Sequence, residues 1–267
     1  MIKRFEQTAP VTWALWSLLW TMVKREMQSR YAGSALGAFW AYLQPLLTVA
    51  VYFLVFDVVF AMRMGDNAPT QRVGTYLVVG ALPWLAFADA VSRGASSLVD
   101  AAGVLQKNAL PPVLFVLRSV LASWLAFMPI MVLLAVLYGF ITGHWLALPV
   151  LPVLMLLQLG LSYLCGHVLA LLTAATRDTT QVLGFGLSVG IFMSPVLFPL
   201  SLFPAAWQWV LYLNPMSSWV LAYQQAMLSG QWPAAHLWLI MLLWLGVLAV
   251  LLAWLNRNSR DELVDWL

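Results

Sequence analysis

Residues 11–47 read VTWALWSLLWTMVKREMQSRYAGSALGAFWAYLQPLL, a run that is apolar, then basic and polar, then apolar again. Its first apolar part, residues 9–23, is 15 residues long, whereas a membrane-spanning helix needs about 20 mostly apolar residues. A secretory signal peptide would end in small residues of the Ala-x-Ala kind, but Lys24 and Arg25 follow directly. The segment is therefore expected to lie on a membrane surface, or else to be an additional short span.

Three tryptophans favour the surface position. Trp13, Trp16 and Trp20 recur at helical spacing on one side, and indole rings prefer the headgroup region of a bilayer. Together with the basic residues that follow, they predict an amphipathic interface helix within residues 1–35. An additional span is the alternative, although it would give the chain an odd number of crossings.

The composition is that of a protein with many membrane spans. Of the 267 residues, 63% are hydrophobic and 9% are charged, and the mean hydropathy is +0.88, whereas soluble domains have about 25% charged residues. The formal net charge is +3, but the basic residues are scattered at the ends of apolar segments. They therefore indicate membrane topology, and a nucleic-acid partner is not expected.

Six apolar segments predict an all-α integral membrane protein with a transmembrane domain over residues 36–267. The predicted spans lie near residues 36–61, 73–92, 113–141, 146–174, 181–199 and 235–255. With the N-terminus inside, Arg63 and Arg72 would lie outside, and the other 11 of the 13 Lys and Arg residues would lie inside. The positive-inside rule therefore predicts that both termini are cytoplasmic.

The region after the fifth predicted span is apolar but rich in proline. Proline lacks an amide donor and bends or ends a helix, so one straight span through residues 200–234 is not expected. The prolines in and just before this region include Pro195, Pro199, Pro204 and Pro215. We expect short re-entrant helices that form an external gate, with an extra pair of spans as the alternative.

Aromatic residues recur on several of the predicted spans. Aromatic faces can stack on the C–H faces of sugars, so a channel lined by them would let a glycan slide. The channel-lining candidates are Trp40, Tyr42, Tyr52, Phe56, Phe60, Trp84, Phe87, Phe185 and Phe192. Packing against other helices or contact with lipid is the alternative for each of them.

Features of an enzyme are sparse. The chain has no G-x-x-x-x-G-K-[ST] nucleotide-binding loop and no metal-ligand spacing among its three histidines. Asp89 and Arg93 are four residues apart and can form a structural pair. An intramembrane enzyme that uses Asp57, Asp89 or His167 is a further hypothesis, but the ionisable residues form no cluster in the sequence.

Motifs along nearly the whole chain, in order, resemble those of ABC-2 type permeases that export polysaccharides. They are GALPWLAFADAV at 80–91, LQKNALPP at 105–112, TRDTTQ at 176–181, SPVLFP at 194–199 and LNPMSSWV at 213–220. The N-terminal signature of that family, a pattern of Arg-x-x-Tyr-x-x-Ser-x-Leu-Gly followed by an aromatic residue and a proline, has counterparts here. After an upstream arginine, Arg25 or Arg30, they are Tyr31, Ser34, Leu36, Gly37, Trp40 and Pro45.

The resemblance implies a permease that pairs with a second copy of itself and with two copies of a separate ATPase, which would carry ATP and Mg²⁺. It implies no cofactor on this chain. The ATPase contacts would be the loop 97–111, with Val104, Leu105, Gln106, Lys107 and Asn108, and the loop with Arg177 and Asp178. The interface helix, with Trp13, Trp16, Trp20, Lys24, Arg25 and Arg30, would touch the same partner and the membrane lipids. The gate residues would be Pro195, Pro199, Asn214 and Pro215.

The implied cargo is a lipid-linked polysaccharide that crosses the cytoplasmic membrane. The run RYAGSALGAFWA, at 30–41, is closer to the O-antigen type than to the capsule type, and teichoic acid exporters belong to the same family. An ABC-2 exporter of drugs or small lipids is the alternative.

Overall fold

The computed structural model describes residues 11–60, 63, 69–107, 110–145 and 147–259, and within these ranges the chain is helical. The ten α-helices of the described ranges are α1 Val11–Arg30, α2 Trp40–Tyr52, α3 Val73–Asp100, α4 Ala102–Leu105, α5 Pro112–Thr142, α6 Leu151–Ala175, α7 Thr179–Gly190, α8 Gln208–Leu211, α9 Ser217–Met227 and α10 Ala235–Asn258. A π-helix, Phe53–Val59, continues α2, and short 3-10 turns precede α2, α6 and α8.

Five helical segments of the described chain are long and apolar enough to cross a membrane. They are Gly37–Val59, Val73–Asp100, Pro112–Thr142, Leu148–Ala175 and Ala235–Asn258, and they overlap five of the six predicted spans. The predicted span near 181–199 is not confirmed, because α7 has 12 residues and turns follow it. Twelve helical residues measure about 18 Å, well short of the roughly 30 Å hydrocarbon core.

Helix α3 is the centre of the bundle. It packs chiefly on α5 and α6, and also on α9, and most of its apolar residues are buried. It approaches α6 most closely at two glycines, since a β-carbon on Gly94 would lie 3.0 Å from the α-carbon of Gly166. Small residues are what allow the backbones of membrane helices to come this close.

The start of α3 is capped by a residue from the preceding span. The Asp57 carboxylate accepts hydrogen bonds from the Gly74 amide at 2.7 Å, the Thr75 amide at 3.1 Å and the Thr75 hydroxyl at 3.0 Å. The first amides of a helix have no partner within the helix, and an acidic oxygen at that end also complements the helix dipole. Asp57 therefore joins the first span to the central helix.

Helix α1 is attached to the bundle along one side and exposed on another. Leu19 and Val23 are buried and pack with residues of the first half of α5. Trp13, Trp16 and Trp20 are 63%, 61% and 42% exposed. The helix thus has apolar groups on both sides, one against protein and one free to meet lipid, and its position at a membrane surface stays a prediction.

Candidate functional site

A cavity of about 420 Å³ opens between α1, α2, α3, α5 and α7. It lies at the end of the bundle that α1 covers. Its polar lining comes from Arg30, Tyr31, Gln44, Asp89 and Arg93, among others. Because its lining combines charged groups, an amide and a phenol with apolar residues, the cavity can hold an amphiphilic molecule.

A cluster of ion pairs joins α1 to α3 beside this cavity. The Arg30 guanidinium lies 3.5 Å from a Glu26 carboxylate oxygen and 3.7 Å from an Asp89 oxygen. Asp89 also accepts a hydrogen bond of 2.9 Å from Arg93. The Arg30 side chain is 7% exposed, so its charge depends on these carboxylates for compensation.

The same cluster reaches α5. Arg118 lies 3.7 Å from the second Glu26 oxygen, and Arg30 Nη2 donates a hydrogen bond of 3.1 Å to the Ser119 carbonyl. Burial lowers the pKa of Arg30 and the positive charge of Arg93 lowers it further, while Asp89 and Glu26 act in the opposite direction. Arg30 therefore pins α1 to two spans at once. The sequence pointed to Asp89 and Arg93 as a pair, but Glu26 was missed. Its i,i+4 spacing to Arg30 was an available signal, whereas its contact with Arg118 is distant in sequence.

The channel-lining candidates divide between surface and core. Tyr52, Phe56 and Phe60 form a row, with ring centroids 6.4 and 6.3 Å apart, and Phe60 is 61% exposed. Phe185 and Phe192 on and after α7 are 73% and 65% exposed. Trp40 is exposed and Tyr42 is half-buried. These seven side chains are available at the surface of the chain, and their place in a channel stays a prediction.

Trp84 and Phe87 are a correction to the predicted lining. They are 4% and 5% exposed and belong to the apolar core around α3. The far edge of the Trp84 ring lies against Gly190 at the end of α7, where an added β-carbon would approach it to 2.8 Å. In an all-apolar helix, sequence periodicity does not separate a core-facing ring from a surface ring, which is why the prediction included both residues.

The residues predicted to contact an ATPase lie in two loops at the α1 end of the bundle. Leu105 at the end of α4 is buried in a cluster with residues of α3, α5 and α6, while Val104, Gln106 and Lys107 are exposed. Arg177 and Asp178 are exposed in the turn between α6 and α7. Asn108 lies outside the described residues. The buried leucine fixes the position of the exposed side chains around it.

The proline-rich segment, residues 195–215, is bound to the bundle by side chains that donate hydrogen bonds to its carbonyl groups. The Tyr76 hydroxyl donates to the carbonyls of Pro195 at 2.8 Å and Phe198 at 3.0 Å. Gln224 on α9 also donates to the Pro195 carbonyl, at 2.9 Å. Pro195 and Pro199 are buried, and irregular backbone can be buried among membrane helices only where such partners exist.

Asn214 and Pro215 lie at the C-terminal end of the same segment, beside the end of α7. Asn214 Nδ2 donates to the Gly190 carbonyl at 2.9 Å, and Asn214 Oδ1 accepts from the Met216 amide at 3.0 Å. Asn214 therefore lies near Gly190, which in turn lies against Trp84 of α3. Trp84 is eight residues after Tyr76, or about 12 Å further along the axis of α3, so Asn214 lies about that far from Tyr76 in depth. The chain thus runs from the end of α3 that carries Tyr76 back towards the middle of the helix. Pro215 is half-buried there.

Two further polar residues were missed by the sequence analysis. Gln158 on α6 donates to the Pro83 carbonyl at 2.8 Å, and the Tyr223 hydroxyl donates to Gln158 Oε1 at 2.9 Å. This chain of hydrogen bonds ties α3, α6 and α9 together at Pro83, which lies inside the continuous helix α3. The available signal was a single glutamine in the apolar run VLMLLQLGL at 153–161.

The three ionisable residues of the enzyme hypothesis each have a structural partner. Asp57 caps α3, Asp89 belongs to the ion-pair cluster, and His167 Nδ1 lies 3.0 Å from the Tyr163 hydroxyl. They lie on three different helices. Their partners account for their burial without a reaction, and the arrangement as a whole is that of a helical membrane transport protein.

The chain belongs to the ABC-2 type transporter family, whose pattern it matches over residues 17–228. The resemblance found in the motifs is thereby confirmed.

Three relatives have the same name. The chain is 33% identical over 258 residues to the O-antigen export system permease protein RfbA of Myxococcus xanthus, covering 93% of this chain and 94% of that protein. Two proteins named O-antigen export system permease protein RfbA from Klebsiella pneumoniae are 23% and 21% identical over 221 residues, with 81% of this chain and 82% of each relative covered.

We predict that Arg30→Gln loosens α1 and lowers the stability of the chain. The substitution leaves Glu26 and Asp89 with less compensating charge in a partly buried site, which costs roughly 1–3 kcal/mol. Arg30→Lys keeps the charge but loses the planar fork that reaches three helices, so it should be intermediate. Thermal unfolding of the purified chain in detergent measures the difference.

Arg25→Gln is the matched control for this prediction, because Arg25 is on the same helix and exposed. Its melting temperature should stay within about 1 °C of wild type, as exposed charges contribute little. Equal melting temperatures for Arg30→Gln and Arg25→Gln would show that the cluster does not hold α1.

We predict that Tyr76→Phe frees the proline-rich segment. The change leaves the Phe198 carbonyl without its partner and costs about 1–2 kcal/mol, while the Pro195 carbonyl keeps Gln224. Hydrogen–deuterium exchange of the amides in 196–203 should therefore become faster, whereas exchange in α5 should not change. Tyr212→Phe is the control, since the Tyr212 hydroxyl has no hydrogen-bond partner among the described residues. Unchanged exchange in 196–203 would contradict the prediction.

Proposed function

We propose that this chain is the permease subunit of an ATP-driven ABC exporter that moves a lipid-linked polysaccharide, most specifically an O-antigen, across the cytoplasmic membrane. The observation that carries the proposal is the match over 93% of the chain to a protein named as an O-antigen export permease. The row of Tyr52 and Phe56, which are half-buried, and Phe60, which is exposed, suits such a cargo, because ring faces contact sugars without binding them tightly.

We infer that two copies of the chain form the channel between them. The first span, Gly37–Val59, is the least buried of the five long spans within the single chain, whereas Val73–Asp100 is the most buried. All twelve residues of α7 are exposed or half-buried as well. In a two-fold dimer the same surface is used on both subunits, so these two uncovered elements are the candidates to line the channel with Trp40, Tyr42, Phe185 and Phe192.

The energy source in this proposal is a separate ATPase, present in two copies, which binds ATP and Mg²⁺. The segment 97–111, which begins in the last turn of α3, and the turn with Arg177 and Asp178 would be the contact surface. Leu105 is buried while Gln106 and Lys107 are exposed, as expected of a short docking helix that is fixed to its own domain. The interface helix α1, joined to α3 and α5 by Arg30, would pass on movement from the same side.

We further propose six crossings with both termini in the cytoplasm. In this arrangement α7 and residues 191–199 together form the fifth crossing, and the following segment turns back into the outer leaflet before α9. The hydrogen bonds of Tyr76 and Asn214 at two different depths support it. The excess of Lys and Arg on the α1 side supports the orientation.

The cavity beside Arg30 and Arg93 is the proposed point of access for the lipid-linked cargo. It lies next to α1 on the cytoplasmic side of this arrangement and is bounded by α2 and α7, the two elements proposed to line the channel. A lipid-linked glycan has a charged phosphate part and polar sugars. The arginines of the cavity would contact the phosphate, and the Gln44 amide and the Tyr31 phenol would contact the sugars.

The proposed function is tested by deleting the gene and following the glycan. Surface O-antigen should be lost, and lipid-linked glycan should accumulate inside the cell, because synthesis continues while export stops. The wild-type gene supplied on a plasmid should restore the surface glycan. Normal surface glycan after deletion would refute the proposal, and drug sensitivity in the same strain would favour the alternative, an exporter of drugs or small lipids.

We predict that Lys107→Glu weakens association with the ATPase without unfolding the permease. Lys107 is exposed at the end of the α4 loop, so charge reversal changes the docking surface and not the core. Co-purification of the ATPase should fall at least about fivefold, the effect of roughly 1 kcal/mol lost at an interface. Arg257→Glu, an exposed cation on the last helix, is the control and should leave co-purification unchanged. Equal recovery with both variants would remove the coupling role of the loop.

A further inference from the structure

Arg63 and Arg72 face each other across a backbone bridge. The two residues form an isolated antiparallel β-bridge, and both are exposed. They flank the connection between the first span and α3, at the end of the bundle opposite α1. In the topology predicted by the positive-inside rule, these two arginines are the basic residues that lie outside the cytoplasm.

The pairing places two like charges opposite each other, which favours an anion nearby. Residues directly opposite each other in an antiparallel pair project their side chains to the same side, with β-carbons about 4.5–5.5 Å apart, and like charges in such a pair destabilise it. Among the described residues, the ion pairs do not include either arginine. Asp57, an acid at the same end, already accepts three hydrogen bonds at the start of α3.

The two arginines border a cavity of about 590 Å³. Thr70 and Tyr138, which carry hydroxyl groups, are in its lining, and Phe53, Ile141 and Leu228 make another part of the lining apolar. Thr75 also lines the cavity, but its hydroxyl already donates to Asp57. Guanidinium groups and hydroxyls are the donors that bind phosphate oxygens in charge-assisted hydrogen bonds. The apolar part can contact the hydrocarbon that continues from a lipid headgroup.

Exposed tryptophans near this end of the bundle indicate where the cavity lies relative to the bilayer. Trp145 follows the end of α5 and is 45% exposed, and Trp232, soon after Leu228, is 61% exposed. Trp207 and Trp209 in the proline-rich segment are each 59% exposed. Indole rings collect at the level of the headgroups, so a headgroup position for this end of the bundle is the expectation that these tryptophans support.

We propose that Arg63 and Arg72, with the hydroxyls of this cavity, form a binding site for the phosphate of a lipid headgroup on the side of the membrane opposite α1. The ligand class is a phosphate-bearing lipid. Two sources share that chemistry: a resident phospholipid, and a prenyl-linked phosphate or diphosphate delivered by export. The site does not depend on the proposed function, because a resident phospholipid would occupy it in any membrane.

The test is lipid binding to the full purified chain in neutral detergent, followed by native mass spectrometry. The probes are phosphatidylglycerol, a diacylglycerol with the same acyl chains, geranylgeranyl diphosphate and inorganic phosphate. Wild type should bind phosphatidylglycerol more tightly than diacylglycerol. The double variant Arg63→Gln, Arg72→Gln should lose at least about tenfold in affinity for phosphatidylglycerol, since two charged hydrogen bonds are removed.

Controls separate a specific site from general attraction and from misfolding. Arg257→Gln removes one exposed cation from the opposite end of the bundle and should bind as wild type. The pair Arg63→Lys, Arg72→Lys keeps both charges and should retain most of the affinity. Stronger competition by geranylgeranyl diphosphate than by phosphatidylglycerol identifies an exported carrier, and the reverse identifies a resident lipid. Unchanged binding in the glutamine pair, or inorganic phosphate as effective a competitor as either lipid, overturns the proposal.

Discussion

Hydrogen bonds from side chains to backbone groups are the constraint on which the structure depends. Where the bundle departs from regular helix, the freed backbone groups have no water to bind inside an apolar environment, and each would cost several kcal/mol if left alone. Asp57 supplies acceptors at the start of α3, and Tyr76 and Gln224 supply donors at Pro195. These few polar residues decide which irregular segments the apolar spans can accommodate.

Helix α3 is common to nearly all of these bonds. Its 28 residues measure about 42 Å, which exceeds the roughly 30 Å of a hydrocarbon core. Tyr76 near its start holds the proline-rich segment, and Asp89 in its second half pairs with Arg30 of α1. A displacement of α1 and a displacement of the proline-rich segment therefore act on one helix, which is the simplest physical link between the two ends of the bundle.

Sequence reasoning predicted the long apolar spans because one physical quantity, hydropathy over about 20 residues, is enough to find them. It failed to describe the end of α7, where Gly184, Gly186 and Gly190 are followed within a few residues by Pro195, since glycine and proline both shorten helices. It also failed to separate Trp84 in the core from Phe185 at the surface. Both faces of a membrane helix are apolar, so the side that meets protein leaves no periodic signal. The polar bonds of Gln158 and Tyr76 depend on contacts 75 and 119 residues apart, which local patterns do not contain.

The exposed faces of the single chain differ in what they would tolerate in a bilayer. The outer face of α10 presents Leu239, Leu243, Val247 and Val250, each more than half exposed, and lipid satisfies such a surface without any partner. The surfaces of α2 and α7 are different, because small and polar side chains interrupt the apolar ones. Gln44 is exposed on α2, and an added β-carbon on Gly184 or Gly186 of α7 would meet nothing within 4 Å.

Small and polar residues on a membrane helix favour contact with another helix or with water over contact with lipid. This distinction, and not exposure alone, is why α2 and α7 are the elements assigned to the proposed channel between two copies, while α10 is left to the lipid. The aromatic row of Tyr52, Phe56 and Phe60 then continues the polar face of α2 towards the opposite end of the bundle, so that one helix offers hydrogen-bonding groups near α1 and ring faces further along the path.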